Sequence, residues 1–458
     1  MALTPIDYIS IVAFVGVVLG VSMYKSRQKK DSAGYFLADR GATWWLIGFS
    51  LIAANISTEQ FVGMSGAGAG NAGLAIASYE WIAAITLVFV AIFFLPRFLS
   101  AGIFTIPEYL EYRYNATART VMSLFLMVVY VCVTIVAVVY SGGLTIHAIF
   151  DWPLIPSIWL IGVLAAAYTT FGGLKAVIWA DLIQGSALII GGAIVLFFGL
   201  HAMTPDGGLV AGWGTFMDQA GDKMHMSLSI DHPELPFTAL FFGIWIPNFY
   251  YWGLNQYITQ RTLASKSLSE GQKGVLFAAA LKLIIPFVIV IPGIMAWILY
   301  PAELGGGETA KDAAYPLLVK NLVPAGLSGF MLAALAGAVM SSLASMLNSA
   351  STIFTMDLFK RYLKRDATDK QLVFTGRLTT IIFVVIGCLI APQLADPRFG
   401  GVFKYIQDFQ GFISPGILTA FVFGLIIKRT PATAAIAAMI ANVPIYGVLH
   451  FESVQTAI

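Results

Sequence analysis

The chain is a succession of apolar stretches, most of them long enough to cross a hydrocarbon layer, joined by polar connections. An α-helix rises about 1.5 Å per residue, so about 20 apolar residues span the ~30 Å core of a bilayer. Such stretches fall at about 8–23, 42–70, 72–95, 119–149, 154–170, 176–201, 237–259, 274–300, 327–359, 372–392, 403–427 and 432–449. Only 11% of the 458 residues are charged and 58% are hydrophobic, where a soluble chain carries about a quarter charged residues. The expectation is an all-α polytopic membrane protein of 12 transmembrane helices, read as one integral membrane domain over 1–458.

The basic residues orient these helices. No basic residue precedes the first stretch and Lys25, Arg27, Lys29 and Lys30 follow it, the reverse of a secretory signal, so the helix is expected to be retained. If the stretches alternate, one side receives this cluster with Arg40, Arg97, Arg113, Arg119, Lys175, Arg261, Lys266, Lys273, Lys360 to Lys370, Lys428 and Arg429. The other side receives Lys223, Lys311, Lys320 and Arg398. Such a bias puts the first group in the cytoplasm and both termini outside. The net charge of +2 is dispersed, which speaks against nucleic acid as a partner. Two distant cysteines and five scattered histidines have no ligand spacing, and neither a disulfide nor a metal site built from them is expected.

One apolar region is interrupted. Ile52 to Trp81 carries Asn55, Ser57, Thr58, Glu59, Gln60 and a run of glycines where a plain membrane helix carries leucines. Unpaired polar groups in hydrocarbon cost several kcal/mol, so these residues have to face protein, water or a ligand. Gly66, Gly68 and Gly70 suit a close helix contact, but that reading leaves Glu59 and Gln60 unexplained. A second interruption lies where Pro247 and Gly253 bracket Asn248, Tyr250, Tyr251 and Trp252. Each break alone reads as a kink. Two breaks, one opening each group of five helices, point to an inverted-repeat transporter with its site between them. The repeats would cover about 42–201 and 237–427, with 8–23 and 432–449 peripheral.

Lys282 and Glu80 stand inside apolar segments, where an isolated charge marks a partner or a pathway. Together they offer donors and acceptors that suit a polyhydroxylated ligand, and they equally suit a structural ion pair. Tyr251 and Trp252 fit either stacking on a sugar or plain packing. Ala338, Ser341 and Ser342 are three and four residues apart and share a helix face. Serines on such a face are either packing glue or, opposite spare carbonyls, an oxygen shell for a monovalent cation. Asp181 suits a cytoplasmic ion path or a local helix contact.

The stretches AANISTEQFVGMSG, AIASYEW, FGGLKAVIWADLIQ, NFYYWGLNQYITQRTLASKS, AALKLIIPF, SSLASMLNSASTIFTMD and YIQDFQGFISPGIL resemble the sodium/solute symporter family. Within it they look most like the bacterial sodium/galactose and animal sodium/glucose branch. The resemblance runs from the first helix to about Ile427. It implies a LeuT-type core of 5+5 helices with one extra helix at each end, working by alternating access in a bacterial inner membrane. It implies sugar contacts at Gln60, Glu80, Asn248, Lys282 and Gln407, with Tyr251 stacking on the sugar from the inner side. It places an outer gate at Met64, Tyr79 and Phe403, and an inner gate where Asn55 pairs with Tyr251. Sodium, the co-transported ion, would be held by the carbonyls of Ala53, Ile56 and Ala338 and the hydroxyls of Ser341 and Ser342, and Asp181 would line its exit. Ala83 and Thr134 depart from the galactose-type pattern, which carries a serine and an asparagine there, so the particular hexose stays open. The chain also ends after the twelfth helix, where that relative has two more. A homo-oligomer is compatible with all of this.

The expected function is sodium-coupled import of a hexose such as galactose or glucose. A polyol, sialic acid or amino acid is the alternative substrate within the same fold. An amino acid fits poorly with Lys282 beside Glu80, because a zwitterion's carboxylate is usually met by a bare helix end or hydroxyls. A non-transporting sensor is the alternative from another class and would be expected to carry a soluble output domain. No nucleophile with a base partner, metal cluster or phosphate loop suggests an enzyme.

Overall fold

The computed structural model describes residues 4–26, 36–57, 59–150, 152–399 and 401–450. Arg27, Lys29, Lys30, Thr58 and the side chain of Glu59 lie outside them. Among the described residues, eight helices are long and apolar enough to cross a membrane, or nine if the bent pair Val402–Gly411 and Ser414–Ile426 is one span. Trp44–Asn55 and Leu154–Ala167 are shorter apolar helices. The all-helical, multi-pass character expected from the apolar stretches is what the chain adopts.

Both interruptions are real. The first helix of the broken region ends at Asn55, Ile56 leaves the helical region (φ −81°, ψ 85°), and helix resumes as a π-turn, Glu59–Met64, and a short α-helix, Ser65–Ala69. The second break falls slightly later than the sequence suggests. Pro247 sits early in the short helix Trp245–Phe249, where a missing N–H costs little. The chain then passes through a π-turn, Tyr250–Leu254, and becomes extended at Asn255 (φ −79°, ψ 121°) before Gln256–Leu263. Tyr130 satisfies this break from a neighbouring helix: its hydroxyl bonds Asn255 Oδ1 and accepts from the Tyr257 amide at 3.2 Å.

Two features differ from the reading of the apolar stretches. Helical bonding runs unbroken over the 50 residues Leu154–Met203, across the expected turn near Gly172 and Gly173. The stretch at 403–427 is bent by 50° at a break between Gly411 and Ser414. Glycines admit the close crossings. A methyl on Gly185 would come within 2.8 Å of Ala53 Cβ, and one on Gly293 within 2.2 Å of the Ser65 carbonyl. These contacts bring Leu154–Met203 and Ile285–Leu299 directly onto the two halves of the first broken region.

Arg261 and Arg119 correct the simple sorting of loop charges. Arg261 is fully buried and Arg119 is 8% exposed. Arg119 bonds Asp357 and Glu111, and Asp357 also accepts from Thr105 and Ser123. Both arginines tie helices together instead of marking a surface loop.

Candidate functional site

The two breaks face each other across a cavity. Its empty space, including the part open to solvent, comes to about 590 Å³. The first broken region supplies Asn55, Gln60 and Met64, and the second supplies Asn248, Tyr251 and Trp252. Tyr79, Glu80, Thr134, Phe403 and Gln407 complete most of the wall. Several of these sit on π-turns: Gln60 and Met64 on Glu59–Met64, Thr134 on Tyr130–Thr134, Tyr251 and Trp252 on Tyr250–Leu254. A π-turn adds a residue to the helical repeat and re-aims the side chains around it, which is why such turns recur at sites.

Residues expected at the two gates touch one another at the cavity wall. Tyr79 meets Phe403 edge to face at 5.3 Å between ring centroids, and Met64 is 1% exposed. Gly63 lets the two segments approach closely, since a Cβ on it would lie 3.1 Å from Phe403 N and Cβ and would need Phe403 to give by a few tenths of an ångström. On the opposite side Asn55 Nδ2 donates to the Tyr251 hydroxyl at 3.1 Å, and Tyr257 donates to the same oxygen at 2.6 Å. Tyr257 was missed by the sequence reading. It lies past the break, and only the fold returns it to Tyr251.

Within the cavity the polar groups differ in availability. Gln60 lines the cavity, and its Oε1 is buried without a hydrogen-bond partner. Asn248 turns one donor back onto its own helix, bonding the Ile244 carbonyl at 3.0 Å. Glu80 lines the wall, but Lys282 stands one layer behind, fully buried, donating to Glu80 Oε2 and Asn55 Oδ1 and lying 4.8 Å from the Trp252 ring centroid. The ion pair and the cavity wall are therefore one construction. Gln410 and Ile406 also line the cavity. Their spacing from Gln407 and Phe403, three residues each, is the signal that could have found them.

Of the residues expected to hold the cation, Ala53 and Ile56 lie at the first break, and Ser342 bonds Ala54, which stands between them. Ser57 N donates to Asn55 O, and Gln60 N to Ser57 O, so the amides that would bond Ala53 O and Ile56 O in a continuous helix are used elsewhere. Ser342 Oγ donates to Ala54 O, in the last turn before the unwinding, at 3.2 Å. Ala53, Ile56 and Ala338 are all buried. Beside them Ser341 Oγ donates to Asp181, which also accepts from Ser50 and, at 3.0 Å, from Arg261. Arg261 further bonds Ser345 and the Ser50 carbonyl. A carboxylate thus adjoins the serine face, but it is already paired with a buried guanidinium, a partner the sequence reading did not foresee.

Two unwound helices enclosing a polar cavity, with buried hydroxyls opposite one of them, define a helical membrane transporter. The comparisons give its family. The model of the sodium:solute symporter family matches residues 35–442. A sodium/glucose cotransporter of Vibrio parahaemolyticus is 44% identical, over 97% of this chain and 85% of its own. A symporter of Escherichia coli, YidK, is 38% identical over 95% of this chain and 76% of its own. A solved sodium-coupled sialic acid symporter, outward-open with substrate bound, superposes with a TM-score of 0.78 at 23% identity, over 96% of this chain and 98% of that one. The chain belongs to the sodium:solute symporter family and carries out sodium-coupled solute symport; it is a transporter, not an enzyme.

Proposed function

We propose that the transported solute is a hexose such as galactose or glucose, held between the two broken helices. The observation that carries this is the cavity wall. Gln60, Glu80, Asn248 and Gln407 present amides and a carboxylate, with one glutamine oxygen unpartnered, between the aromatic faces of Tyr251 and Tyr79. Convergent amides and one carboxylate already neutralised by Lys282, beside aromatic rings, suit a ligand of many hydroxyls and no net charge. Lys282 acts through Glu80 and Asn55, fixing the carboxylate that accepts from the sugar. Met64, Tyr79 and Phe403 form the outer gate, and Tyr251 with Asn55 the inner one.

In the same reading sodium binds to the carbonyls of Ala53, Ile56 and Ala338 and the hydroxyls of Ser341 and Ser342, and leaves past Asp181. The layout is 12 helices with two inverted repeats of five at about 42–201 and 237–427. The two passes within Leu154–Met203 require a bend, since 50 straight helical residues would run about 75 Å. The protein lies in a bacterial inner membrane as a single domain, with both termini outside.

The test is uptake into proteoliposomes under an imposed inward sodium gradient, screened over labelled galactose, glucose, myo-inositol, sialic acid and proline. Sodium-dependent accumulation of a hexose is expected. Accumulation of a polyol, sialic acid or amino acid with no hexose uptake overturns the substrate and leaves the symport mechanism standing.

A further inference from the structure

The last described helix, Ala432–His450, contributes nothing to the cavity wall, and only 11% of its 18-residue apolar window is buried. By position it is a peripheral helix. It packs mainly along Ser414–Ile426 and also touches Ala116–Val129. It reaches the 50° bend between Val402–Gly411 and Ser414–Ile426, and its His450 Nε2 lies 3.9 Å from Asp408 Oδ2 on the half-span before that bend.

That bend has a chemical cause. In a continuous helix the Gly411 carbonyl would accept from the amide of residue 415, and residue 415 is a proline without an N–H. The break also removes the regular partner of the Phe412 carbonyl. Stranded carbonyls at membrane depth have to be satisfied by a neighbour. Asn442 does so for both: its Nδ2 donates to Gly411 O at 3.1 Å and to Phe412 O at 2.6 Å.

The packing around this bond is equally specific. A methyl on Gly416 would meet the Ala438 carbonyl at 2.7 Å and Asn442 Cβ at 2.9 Å, and one on Gly411 would meet the Tyr446 ring at 2.2 Å. Tyr446 also packs edge to face on Phe412, with centroids 4.9 Å apart. Both sides of the bend are therefore seated on the same helix. The half-span that leaves the bend, Val402–Gly411, carries Phe403, Gln407 and Gln410 on the cavity wall.

We propose that Ala432–His450 is the fulcrum of this gate-bearing half-span, with Asn442 the positioning residue that holds its hinge. Asn442 touches neither solute nor ion. It fixes the pivot about which Phe403 moves on and off Tyr79, while Ser414–Ile426 and Ala432–His450 stay together as a fixed pair. The transport consequence rests on the cavity being the solute site, whereas the hinge does not.

The experiment is hydrogen exchange with mass spectrometry on the full chain in nanodiscs, in potassium, in sodium, and in sodium with galactose. In the wild type, exchange over 402–411 should change between conditions while 414–426 and 432–450 stay constant. In Asn442→Leu, which has similar volume and no donor, exchange over 402–413 should rise about tenfold in sodium alone, the worth of one hydrogen bond. Exchange over 44–55 should stay as in the wild type. Asn442→Gln keeps the amide and should restore most of the protection and the uptake rate. Asn442→Ser, which keeps one donor, gives the same comparison at reduced amplitude if the leucine variant does not fold. Wild-type exchange over 402–413 in a folded Asn442→Leu protein, or 432–450 responding together with 402–411, overturns the fulcrum. A wild type responding to sodium but not to galactose counts against the hexose reading and leaves the hinge to be decided by the variants.

Discussion

Replacing Lys282 by methionine separates the two duties that the Glu80–Lys282 pair performs. The lysine is fully buried and the glutamate side chain is 4% exposed, so Lys282→Met leaves a carboxylate with no counter-charge in a poorly solvated wall. Breaking a buried pair from one side costs about 3–5 kcal/mol. The loss falls toward the lower end here, because Glu80 borders the cavity and water can reach it. Glu80→Gln leaves the lysine with Asn55 Oδ1 and the Trp252 ring, and the amide still offers an acceptor. It should cost less stability than Lys282→Met, while weakening sugar binding by roughly tenfold to a hundredfold, the worth of about 1.5–3 kcal/mol for a hydrogen bond to a charged group. The double variant Lys282→Met/Glu80→Gln removes both charges and should melt above Lys282→Met alone. The measurements are melting temperature in detergent for all four proteins and equilibrium galactose binding at saturating sodium. Native galactose affinity in folded Glu80→Gln would refute the placement of this carboxylate on the solute. A double variant no more stable than Lys282→Met would refute the claim that the lysine's main structural task is to neutralise Glu80.

Three further outcomes follow from the same geometry. Ser342→Ala removes the hydroxyl bonded to Ala54 O; the sodium requirement should rise, and galactose affinity at fixed sodium should fall through linkage, with unchanged sodium dependence in folded protein returning Ser342 to plain packing. A single cysteine at Lys364 should resist a membrane-impermeant reagent on intact spheroplasts, and rapid labelling would invert the assigned orientation. Glu111 lies on the short helix Ile106–Arg113, where its hydrogen bonds from Arg361 and Arg119 hold its carboxyl below its ordinary value of 4.5. A lowered folded value means that its stabilisation is complete above about pH 4.5 and fades as pH falls through the lower folded value. Wild type should therefore melt above Glu111→Gln by the equivalent of about 1 kcal/mol at neutral pH. The gap should close in acid, and a gap independent of pH would contradict the pairing.

The parts of this molecule legible in the sequence are those where hydrocarbon makes a residue choice expensive. Asn55, Gln60, Glu80 and Lys282 stand out because a polar side chain at membrane depth needs a reason, and the structure brings the first three to one cavity wall with Lys282 behind it. The unwinding after Asn55 was legible for the same cause. What escaped was set by partners far along the chain. Arg261 looks like a loop charge in sequence, and only packing of Gln256–Leu263 against Trp44–Asn55 and Leu327–Ile353 buries it on Asp181. Tyr257 escaped because its target, Tyr251, lies across a break whose geometry depends on Tyr130. The bend at Gly411 was written in Pro415, but a proline in an apolar stretch does not say whether a neighbour will satisfy the freed carbonyl. That answer depended on Asn442, contributed by the following helix.

With the ion and solute at the proposed sites, the first break would couple two cargoes without a long-range relay. Four consecutive residues, Ala53 to Ile56, carry both sides of the proposed coupling. The Ala54 carbonyl accepts from Ser342 on the serine face, while the next side chain, Asn55, accepts from Lys282 and donates to Tyr251 at the inner closure. A cation drawing on the carbonyls of Ala53 and Ile56 would fix the backbone from which Asn55 projects. Fixing that backbone favours the closed Asn55–Tyr251 contact and the position of Lys282 behind Glu80, and so lowers the ordering cost left for the sugar. Because binding free energies are reciprocal, the sugar must favour the same turn for sodium by the same factor. On the proposed sites the unwound turn is the shared element on which both ligands act, with the Asn55 and Lys282 side chains the short link between the ion and the solute.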